Sequence, residues 1–387
     1  MRRPNLTILI AARDAAGTIG RAVRSCQEES CEILLVDDHC CDDTVGQALA
    51  AAGSHLRVVS APDPGGVALA RQCGLDHLDT EYAAWLDADD EWLPGRAARL
   101  LAALGAGYDV ATEAIDLHSA DGRWLRRLAM PGFLRRPGAS VRLFERNSLP
   151  GDSQVAFRSQ AYQSLGYQTA LCGGESFDIL LRGVWQGMRF HYGMEVGYRM
   201  YAYQGSVSRN LERQRRHLAT ALRKFDYIGV RQRYQEAGYS DRIAYWGLGS
   251  FALFCNDPGS ALDFIAKASP LSADSDEILE PDGPWPFPEG WRRNFALGTV
   301  LLMLGGETQA AIEHLLDAEA VRPTAEGANN LGIALWHAGM REKARHYFNL
   351  AQIRFPGYRD ASLNLLQDIP SQITTHPLRY FASRSEY

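Results

Sequence analysis

The sequence predicts an α/β domain with an open, mostly parallel sheet, followed by an all-α domain of repeated helix pairs. Its first hundred residues alternate buried-strand and helix patterns, the order typical of a parallel sheet. From about residue 240 the strand patterns stop and paired helical patterns recur. With 387 residues, 46% of them hydrophobic and 22% charged, the chain has enough apolar material for two or three such domains.

Four apolar runs in the first part predict buried strands, and stretches with helical spacing separate them. The strands are expected at 6–11, 32–36, 56–60 and 82–86, and the helices at 15–26, 44–52 and 67–78. This order implies right-handed crossovers, so that the carboxyl ends of the strands share one edge of the sheet. Ligands of such sheets bind beyond that edge, where Asp37, Asp38, Asp87 and Asp89 fall.

The second part shows a repeat in which Leu297-Gly298 recurs at Leu331-Gly332, 34 residues later. An earlier copy begins near Tyr245, and an acid- and proline-rich stretch at 272–290 is interpreted as a loop inserted after it. The last unit fits the tetratricopeptide pattern at Leu331, Gly332, Leu335, Ala344, Phe348, Ala351 and Pro356. Generic amphipathic helical hairpins are the alternative to this interpretation.

Composition and motifs exclude several classes of function. A net charge of −6 and a pI near 6.0 argue against a nucleic-acid partner. No run of 18 apolar residues occurs, which predicts no transmembrane segment. The seven cysteines form no C-x-x-C pair, which favours reduced thiols and a cytoplasmic protein. Neither a P-loop nor a G-x-G-x-x-G follows the first strand, so a standard kinase, GTPase or dinucleotide dehydrogenase is not expected.

The most informative stretch is YAAWLDADDEWLPGR at 82–96, where an apolar strand stops at Asp87, Asp89 and Asp90. Clustered acids at the end of a buried strand are costly unless a cation or hydrogen-bond donors satisfy them. Magnesium prefers such oxygen ligands and commonly combines one or two carboxylates with substrate phosphates. A strand-to-helix turn capped by an aspartate is the alternative.

Five stretches, in order along residues 5 to 210, together resemble the family-two glycosyltransferases, which have the GT-A fold and use nucleotide-sugar donors. They are ILIAARDAAGTIGRAVRSC, EILLVDDHCCDDT, GGVALARQCGLDHLDTEYAAWLDADDEWLP, GGESFDILLRGVWQG and the closing-loop motif QGSVSRN. The resemblance implies a sugar donor, with a UDP-sugar favoured, and a divalent Mn²⁺ or Mg²⁺ that stabilises the leaving diphosphate.

The resemblance also assigns roles on the donor side. Asp89 is expected to bind the metal directly, and Asp87 to hold the ribose or the metal shell. Asp38 is expected to contact the edge of the base, and Ala11 to line the base pocket with its backbone. Arg71 could contact the pyrophosphate with two hydrogen bonds. For Arg71 a surface helix position is the alternative, and for Asp38 a turn-forming or capping acid.

On the acceptor side, members of this family normally invert the anomeric centre and use a carboxylate as general base. The usual Glu-Asp pair reads Glu175-Ser176 here, with Asp178 two positions further on, so Glu175 and Asp178 are the candidate catalytic residues. Three alternatives to a catalytic Glu175 stay open. The acceptor could need little help from a base, as a thiol would; activity could be lost; or Glu175 could form a structural pair with Arg182. Tyr203 stands where the family often has a metal-binding histidine.

The predicted organisation is a GT-A domain at 1–210, a helical linker at 211–240, a tetratricopeptide-like domain at 241–370 and a C-terminal tail at 371–387. The predicted activity is that of a bacterial, inverting hexosyltransferase acting on a peptide or protein, or on a glycan. The helical repeats are expected to bind a protein partner or to form a homodimer. The alternative is a catalytically degenerate protein that binds a nucleotide-sugar or serves as a repeat scaffold.

Overall fold

The chain forms two compact units in a computed structural model, which describes residues 5–27, 31–52, 56–203, 219, 221–268, 283–285 and 287–376. The first unit comprises Met1–Met130 and Leu149–Ala221, and the second comprises Pro131–Ser148 and Leu222–Tyr387. The association of residues 131–148 with the second unit is not part of the domain organisation predicted above. The four predicted domain boundaries stay a prediction.

The first unit is built on one mixed sheet, whose strands in the described residues follow the order β3-β2-β1-β4-β8-β6-β9-β5, with β7 paired to β6. β3, β2, β1 and β4 run parallel, and β8 is antiparallel to both β4 and β6. The strands are β1 (Leu6–Ala12), β2 (Glu32–Asp37), β3 (Leu56–Ser60), β4 (Tyr82–Trp85), β5 (Glu91–Trp92), β6 (Val110–Ser119), β7 (Trp124–Leu128), β8 (Ala156–Arg158) and β9 (Phe190–Ala202).

The helices of the first unit bury one apolar face each and connect the strands. They are α1 (Ile19–Cys26), α2 (Thr44–Ala52), α3 (Val67–Asp76), α4 (Arg96–Gly105), α5 (Ser159–Leu165) and α6 (Glu175–Trp185). A close approach explains Gly74 in α3, because a Cβ there would lie 3.1 Å from the Trp85 ring of β4. This packing brings α3 against the strand that ends at the acidic run.

The predicted α/β fold class is confirmed, and each of the four predicted strands and three predicted helices is present. α1 begins four residues later than predicted, since residues 15–18 form a turn in which the amides of Thr18 and Ile19 both donate to the Ala15 carbonyl. β1 and β2 are buried almost throughout, as their continuous apolar runs predict.

The second unit is helical where the structure describes it. Its longer helices are α7 (Tyr227–Glu236), α8 (Asp241–Phe254), α9 (Pro258–Ala268), α10 (Glu289–Leu304), α11 (Thr308–Val321), α12 (Ala325–His337), α13 (Arg341–Arg354) and α14 (Arg359–Leu366). Two short 3₁₀ helices, Gly132–Arg135 and Ala139–Phe144, belong to the same unit. No helix in these described ranges has the length and apolarity needed to cross a bilayer.

Three successive helix pairs, α8–α9, α10–α11 and α12–α13, share one packing detail. In each pair a glycine of the first helix faces a large side chain of the second, and a Cβ on that glycine would lie only 2.6–2.7 Å from it. The three contacts join Gly249 to Ile265, Gly298 to Leu315 and Gly332 to Phe348. The helical nature of the C-terminal region is therefore confirmed, while its tetratricopeptide assignment stays a prediction.

Candidate active site

The acidic residues predicted to form the site do lie at the carboxyl ends of neighbouring parallel strands. The amide of Leu86 donates to the carbonyl of Leu9, which continues the β1–β4 pairing to the start of the acidic run. The chain then turns, with the Asp90 amide donating to the Asp87 carbonyl at 3.1 Å. On the other side of β1, the Asp38 amide donates to the carbonyl of Ala12 at 2.9 Å.

Both carboxylate oxygens of Asp87 accept hydrogen bonds from the protein itself. Oδ1 accepts from Nη2 of Arg71 at 3.0 Å, and Oδ2 accepts from the Ser153 hydroxyl at 3.2 Å and from the Gln154 amide. The hydroxyl of Tyr198 accepts a further hydrogen bond from the Asp87 backbone amide at 3.0 Å. Asp87 is therefore a fixed member of a polar network.

Arg71 lies between two acids and is almost completely buried. Its Nη2 bonds to Asp87, and its Nε lies 3.6 Å from Oε1 of Glu175. The guanidinium also stacks over the ring of Trp85, 4.8 Å from its centroid. Burial lowers the pKa of Arg71, but the charges of Asp87 and Glu175 outweigh burial and raise it overall. Arg71 is thus a buried cation that serves two carboxylates, and not a surface residue of its helix.

Glu175 is the first residue of α6 and is 7% exposed. The two preceding glycines have φ values of 138° and 76°, a left-handed conformation that side chains disfavour, so this turn requires Gly173 and Gly174. Burial raises the pKa of Glu175 above its ordinary value of 4.5, while the charge of Arg71 opposes that rise. Such a carboxylate is more basic than an exposed glutamate.

Asp178, the other catalytic candidate, makes a different set of contacts on the same helix. Its side chain is 1% exposed and accepts a hydrogen bond from Nε of Arg182 at 2.8 Å. Arg182 in turn donates to the carbonyls of Leu165 and Gly166. Arg182 therefore pairs with Asp178, four residues away on one helix face, whereas Glu175 pairs with Arg71.

The neighbouring acids Asp89 and Asp90 have contrasting environments. Burial, and then the charge of Asp87, raise the pKa of Asp89 to about 6, with Arg21 opposing. Within the described ranges no side chain donates a hydrogen bond to the Asp89 carboxylate. Asp90 is buried and its Oδ1 accepts from the amide of Tyr201 at 2.8 Å, while burial and Asp89 raise its pKa well above 3.8. Because its carboxylate lacks such a donor and its pKa is raised despite Arg21, an added cation would suit Asp89.

Arg21 of α1 connects Asp89 to the position where the family often has a histidine. Its Nη2 donates to the backbone carbonyl of Asp89 and to the hydroxyl of Tyr203, the latter at 2.8 Å. Its guanidinium also lies over the Tyr201 ring, 3.8 Å from the centroid. Tyr203 thus reaches the site through Arg21. The predicted closing loop at 204–210 lies outside the described residues.

Asp38 and Ala11, the predicted base-contacting residues, lie at the ends of β2 and β1. Oδ1 of Asp38 accepts from the backbone amide of Gly66 at 2.8 Å, and a Cβ on Gly65 would lie 2.7 Å from the same oxygen. Its Oδ2 lies 3.8 Å from Nη1 of the exposed Arg13. Asp38 therefore anchors the loop that leads into α3, and the partly exposed Ala11 lies on β1 next to β2.

A second acidic group is found on the loops that follow β1 and β2. Among the described residues, Asp14, Cys40 and Asp42 place one potential metal-ligand atom each within 4.8 Å of one another. Both oxygens of Asp42 already accept hydrogen bonds from its own turn and from residue 16. Burial and Asp37 raise the pKa of the Cys40 thiol to about 11, which keeps it protonated. These contacts explain the cluster as local turn structure.

The comparison with known proteins agrees with this geometry. Residues 7–165 match the family described as glycosyl transferase family 2. Residues 7–165, which form most of the sheet domain, are thus similar to a family 2 glycosyltransferase domain. The predicted enzyme class is therefore confirmed at the level of this domain, which holds Ala11, Asp38, Arg71, Asp87 and Asp89.

Two curated relatives come from Rhizobium meliloti (strain 1021). The chain is 29% identical over 227 residues to the succinoglycan biosynthesis protein ExoO, and 30% identical over 222 residues to the succinoglycan biosynthesis protein ExoU. These matches cover 54% and 53% of this chain. They span 64% of the length of each relative, which is less than two thirds.

Among solved structures, S. aureus TarS 1–349 in complex with UDP-GlcNAc is similar in fold. The TM-score is 0.50 at 13% sequence identity, and the match covers 92% of this chain and 93% of that chain. At this identity the likeness shows the fold alone. It agrees with a GT-A type sheet domain followed by a helical region.

Several residues of the site escaped the sequence analysis. Ser153, Gln154 and Tyr198 hold Asp87, yet they lie 66, 67 and 111 residues away along the chain. Arg21 is part of the first motif quoted above, but no charge pattern links it to Asp89. These contacts depend on strands β8 and β9, which no motif predicted.

Proposed function

We propose that this chain is an inverting glycosyltransferase that moves a sugar from a UDP-sugar to a glycan acceptor with the help of Mn²⁺ or Mg²⁺. The observation that carries this proposal is the presence of two unlike acids in the first unit. Asp89 lies at the end of a parallel strand and accepts no side-chain hydrogen bond within the described residues, and Glu175, at the start of α6, is a buried carboxylate beside the Arg71–Asp87 pair. The names of the two relatives, which refer to succinoglycan biosynthesis, favour a glycan over a peptide acceptor.

On the donor side we assign Asp89 as the protein ligand of the metal. A divalent cation bound there would stabilise the negative charge of the leaving diphosphate. We assign Asp38 and Ala11 to the base and Asp87 to the ribose, with the Asp87 carboxylate held in place by Arg71. Because Arg71 is occupied by two carboxylates, its contact with the pyrophosphate would be a shared one.

On the acceptor side we assign Glu175 as the general base. As the acceptor oxygen bonds to the anomeric carbon, its proton passes to the Glu175 carboxylate and the bond to the nucleoside diphosphate breaks. The raised pKa of Glu175 supports this role, since a base works best when its pKa approaches the working pH. We assign Asp178 a positioning role, because it is buried in its ion pair with Arg182.

For the helical unit we propose tetratricopeptide-like repeats that bind a protein partner or a second copy of the chain. The three matching glycine contacts in successive helix pairs support a true repeat. A cytoplasmic location remains part of the proposal. The cysteines support it, since none of the seven, all within the described ranges, forms a disulfide.

The proposal is tested by incubating the purified chain with Mn²⁺ and a panel of UDP-sugars and measuring UDP release. We expect slow donor hydrolysis that falls about 100-fold in Asp89→Asn, by loss of the electrostatic stabilisation that one charged contact supplies. Asp76→Asn is the matched control, since Asp76 lies in the same domain and contacts only Gln72 among the bonds described for its side chain. Binding of a UDP-sugar without turnover for any glycan would instead favour the non-catalytic alternative.

A further inference from the structure

The segment that follows α14, residues 371–376, is held against the helical unit in an unusual way. We call it the tail segment; it is neither helix nor strand. It contacts α8, α12 and α14, and of these α8 and α12 are first helices of the pairs described above. Side chains of these helices, rather than apolar packing, make most of its described contacts.

Two asparagines each bind both main-chain groups of one tail residue. Oδ1 of Asn364 accepts from the Gln372 amide at 2.8 Å, and its Nδ2 donates to the Gln372 carbonyl at 3.1 Å. Asn330 binds Thr374 in the same way: it accepts a hydrogen bond from the Thr374 amide at 2.9 Å and donates one to the Thr374 carbonyl at 2.8 Å. Asn329 adds a second donor to the Gln372 carbonyl at 2.8 Å. The helices thus recognise a peptide backbone at every second residue.

Two side chains of the tail segment are recognised as well. Thr374 is 2% exposed, and its hydroxyl donates to Oδ2 of Asp360 at 2.8 Å and contacts the Tyr358 hydroxyl. The ring of His376 is tilted against Trp285 and edge-on to Phe254, with centroids 5.4 and 5.3 Å away. The hydroxyl of the intervening Thr375 contacts His376 rather than a helix. The helical unit therefore contacts the side chains of a Thr-x-His sequence.

The three asparagines are 0–2% exposed although they lie within helices. Some of their hydrogen bonds are to one another and to Thr299, and main-chain groups of the tail segment supply the others. A buried amide that lost such a partner without replacement would cost about 1–3 kcal/mol. An apolar docked terminus would not require such residues. The polar lining is therefore better explained as a receptor surface than as core packing.

We propose that the groove lined by Asn329, Asn330, Asp360 and Asn364 is a binding site for a non-helical peptide of the pattern Thr-x-His, supplied by a partner protein. The tail segment occupies this site within the same chain as a built-in ligand. A tethered ligand has an effective concentration in the millimolar range, so a partner peptide competes only after the tail segment is released. This proposal does not depend on the glycosyltransferase activity.

The experiment uses the full chain and a fluorescein-labelled peptide of residues 370–376, PSQITTH, with binding followed by anisotropy. Thr374→Asp places a second carboxylate beside Asp360 and should expel the tail segment. We expect this variant to bind the peptide at least tenfold more tightly than the unmodified chain. Ser371→Asp is the matched control, because Ser371 is exposed and its backbone amide is unchanged, and it should bind no better than the unmodified chain.

Two further measurements make the test specific. A peptide carrying Thr374→Val should bind the Thr374→Asp chain at least tenfold more weakly, since it lacks the hydroxyl that Asp360 accepts. In the unmodified chain, the amides of Gln372 and Thr374 should exchange with deuterium faster than those of α12, as expected for a segment that detaches by itself. Equal exchange at the two places would overturn the proposal. So would a Thr374→Asp chain that keeps its helical circular dichroism but binds no peptide, or one that loses its helical signal.

Discussion

Replacing Arg71 with methionine is expected to destabilise the first unit, because two carboxylates lose the cation that balances their charge. Arg71 bonds to Asp87 at 3.0 Å and lies 3.6 Å from Glu175, so its removal leaves two carboxylates near each other without their cation. Breaking a buried ion pair in this way costs about 3–5 kcal/mol. Because the Asp87 side chain is 31% exposed, we expect a value near the lower end, about 3 kcal/mol.

The effect is measured by urea unfolding followed by tryptophan fluorescence and fitted with two transitions, since the chain has two compact units. With a slope of about 2–3 kcal/mol per molar urea, the first unit should unfold about 1–1.5 M earlier. Arg127→Met is the control. Arg127 forms an ion pair with Asp116 but is more than half exposed, and such a surface pair contributes little to the free energy of unfolding.

Two further results decide whether charge is the cause. The triple variant Arg71→Met, Asp87→Asn, Glu175→Gln should recover most of the lost stability, because no uncompensated charge remains. The defect of the single variant should also shrink as the pH falls from 7 to 5. Loss of Arg71 removes the charge that opposes the raised pKa of Glu175, so the penalty from Glu175 applies above its folded-state pKa and disappears once Glu175 is protonated. A midpoint shift below about 0.3 M urea, or a triple variant no more stable than the single one, would refute this reasoning.

Three other predictions concern single residues. Glu175→Gln should unfold at no lower urea concentration than the unmodified chain at pH 7, because a carboxyl whose folded-state pKa is raised destabilises the fold when ionised. Sugar transfer by this variant should nevertheless fall about 100- to 10,000-fold. Unfolding at lower urea would contradict the prediction. The Mn²⁺ affinity measured by calorimetry should weaken about tenfold per pH unit below the Asp89 pKa of about 6, and Asp89→Asn should abolish that pH dependence. A pH-independent affinity in the unmodified chain would exclude Asp89 as the ligand. Gly332→Ala should lower the stability of the helical unit by about 1–3 kcal/mol, because the new methyl would lie 2.6 Å from the Phe348 ring, whereas Gly306→Ala, with nothing within 4 Å, should be neutral in the same urea titration.

Much of the sheet domain was predictable because its signals are local. β1, β2 and β4 are continuous apolar runs, and the ends of β2 and β4 carry acids that the parallel order must place at one edge. The strands β5 and β8 have two and three residues and carry no such pattern. They are defined by pairing with distant strands, so Ser153 and Gln154, which precede β8 and bond to Asp87, could not be predicted as its partners from spacing.

The helical unit shows the same division. Local capping residues mark some of its helices, as when the hydroxyl of Thr324 accepts from the Gly327 amide at the start of α12. The sequence also held an overlooked signal in the adjacent Asn329 and Asn330, since two buried amides in one helix require partners. Their partner, the tail segment, lies more than 40 residues further along the chain, and periodicity cannot reveal it.

For the metal proposed above, the distribution of donors among the acids favours a site with one protein carboxylate. Asp87 accepts three side-chain hydrogen bonds and shares Arg71 with Glu175, and Asp90 accepts from the Tyr201 backbone amide. Asp89 accepts no side-chain hydrogen bond within the described site, and its raised pKa shows that its charge is poorly balanced there. Tyr203, where a second ligand would be expected, instead accepts a hydrogen bond from Arg21. Because Mg²⁺ and Mn²⁺ sites with a single carboxylate depend on substrate phosphates for further ligands, metal and UDP-sugar should bind here cooperatively rather than independently.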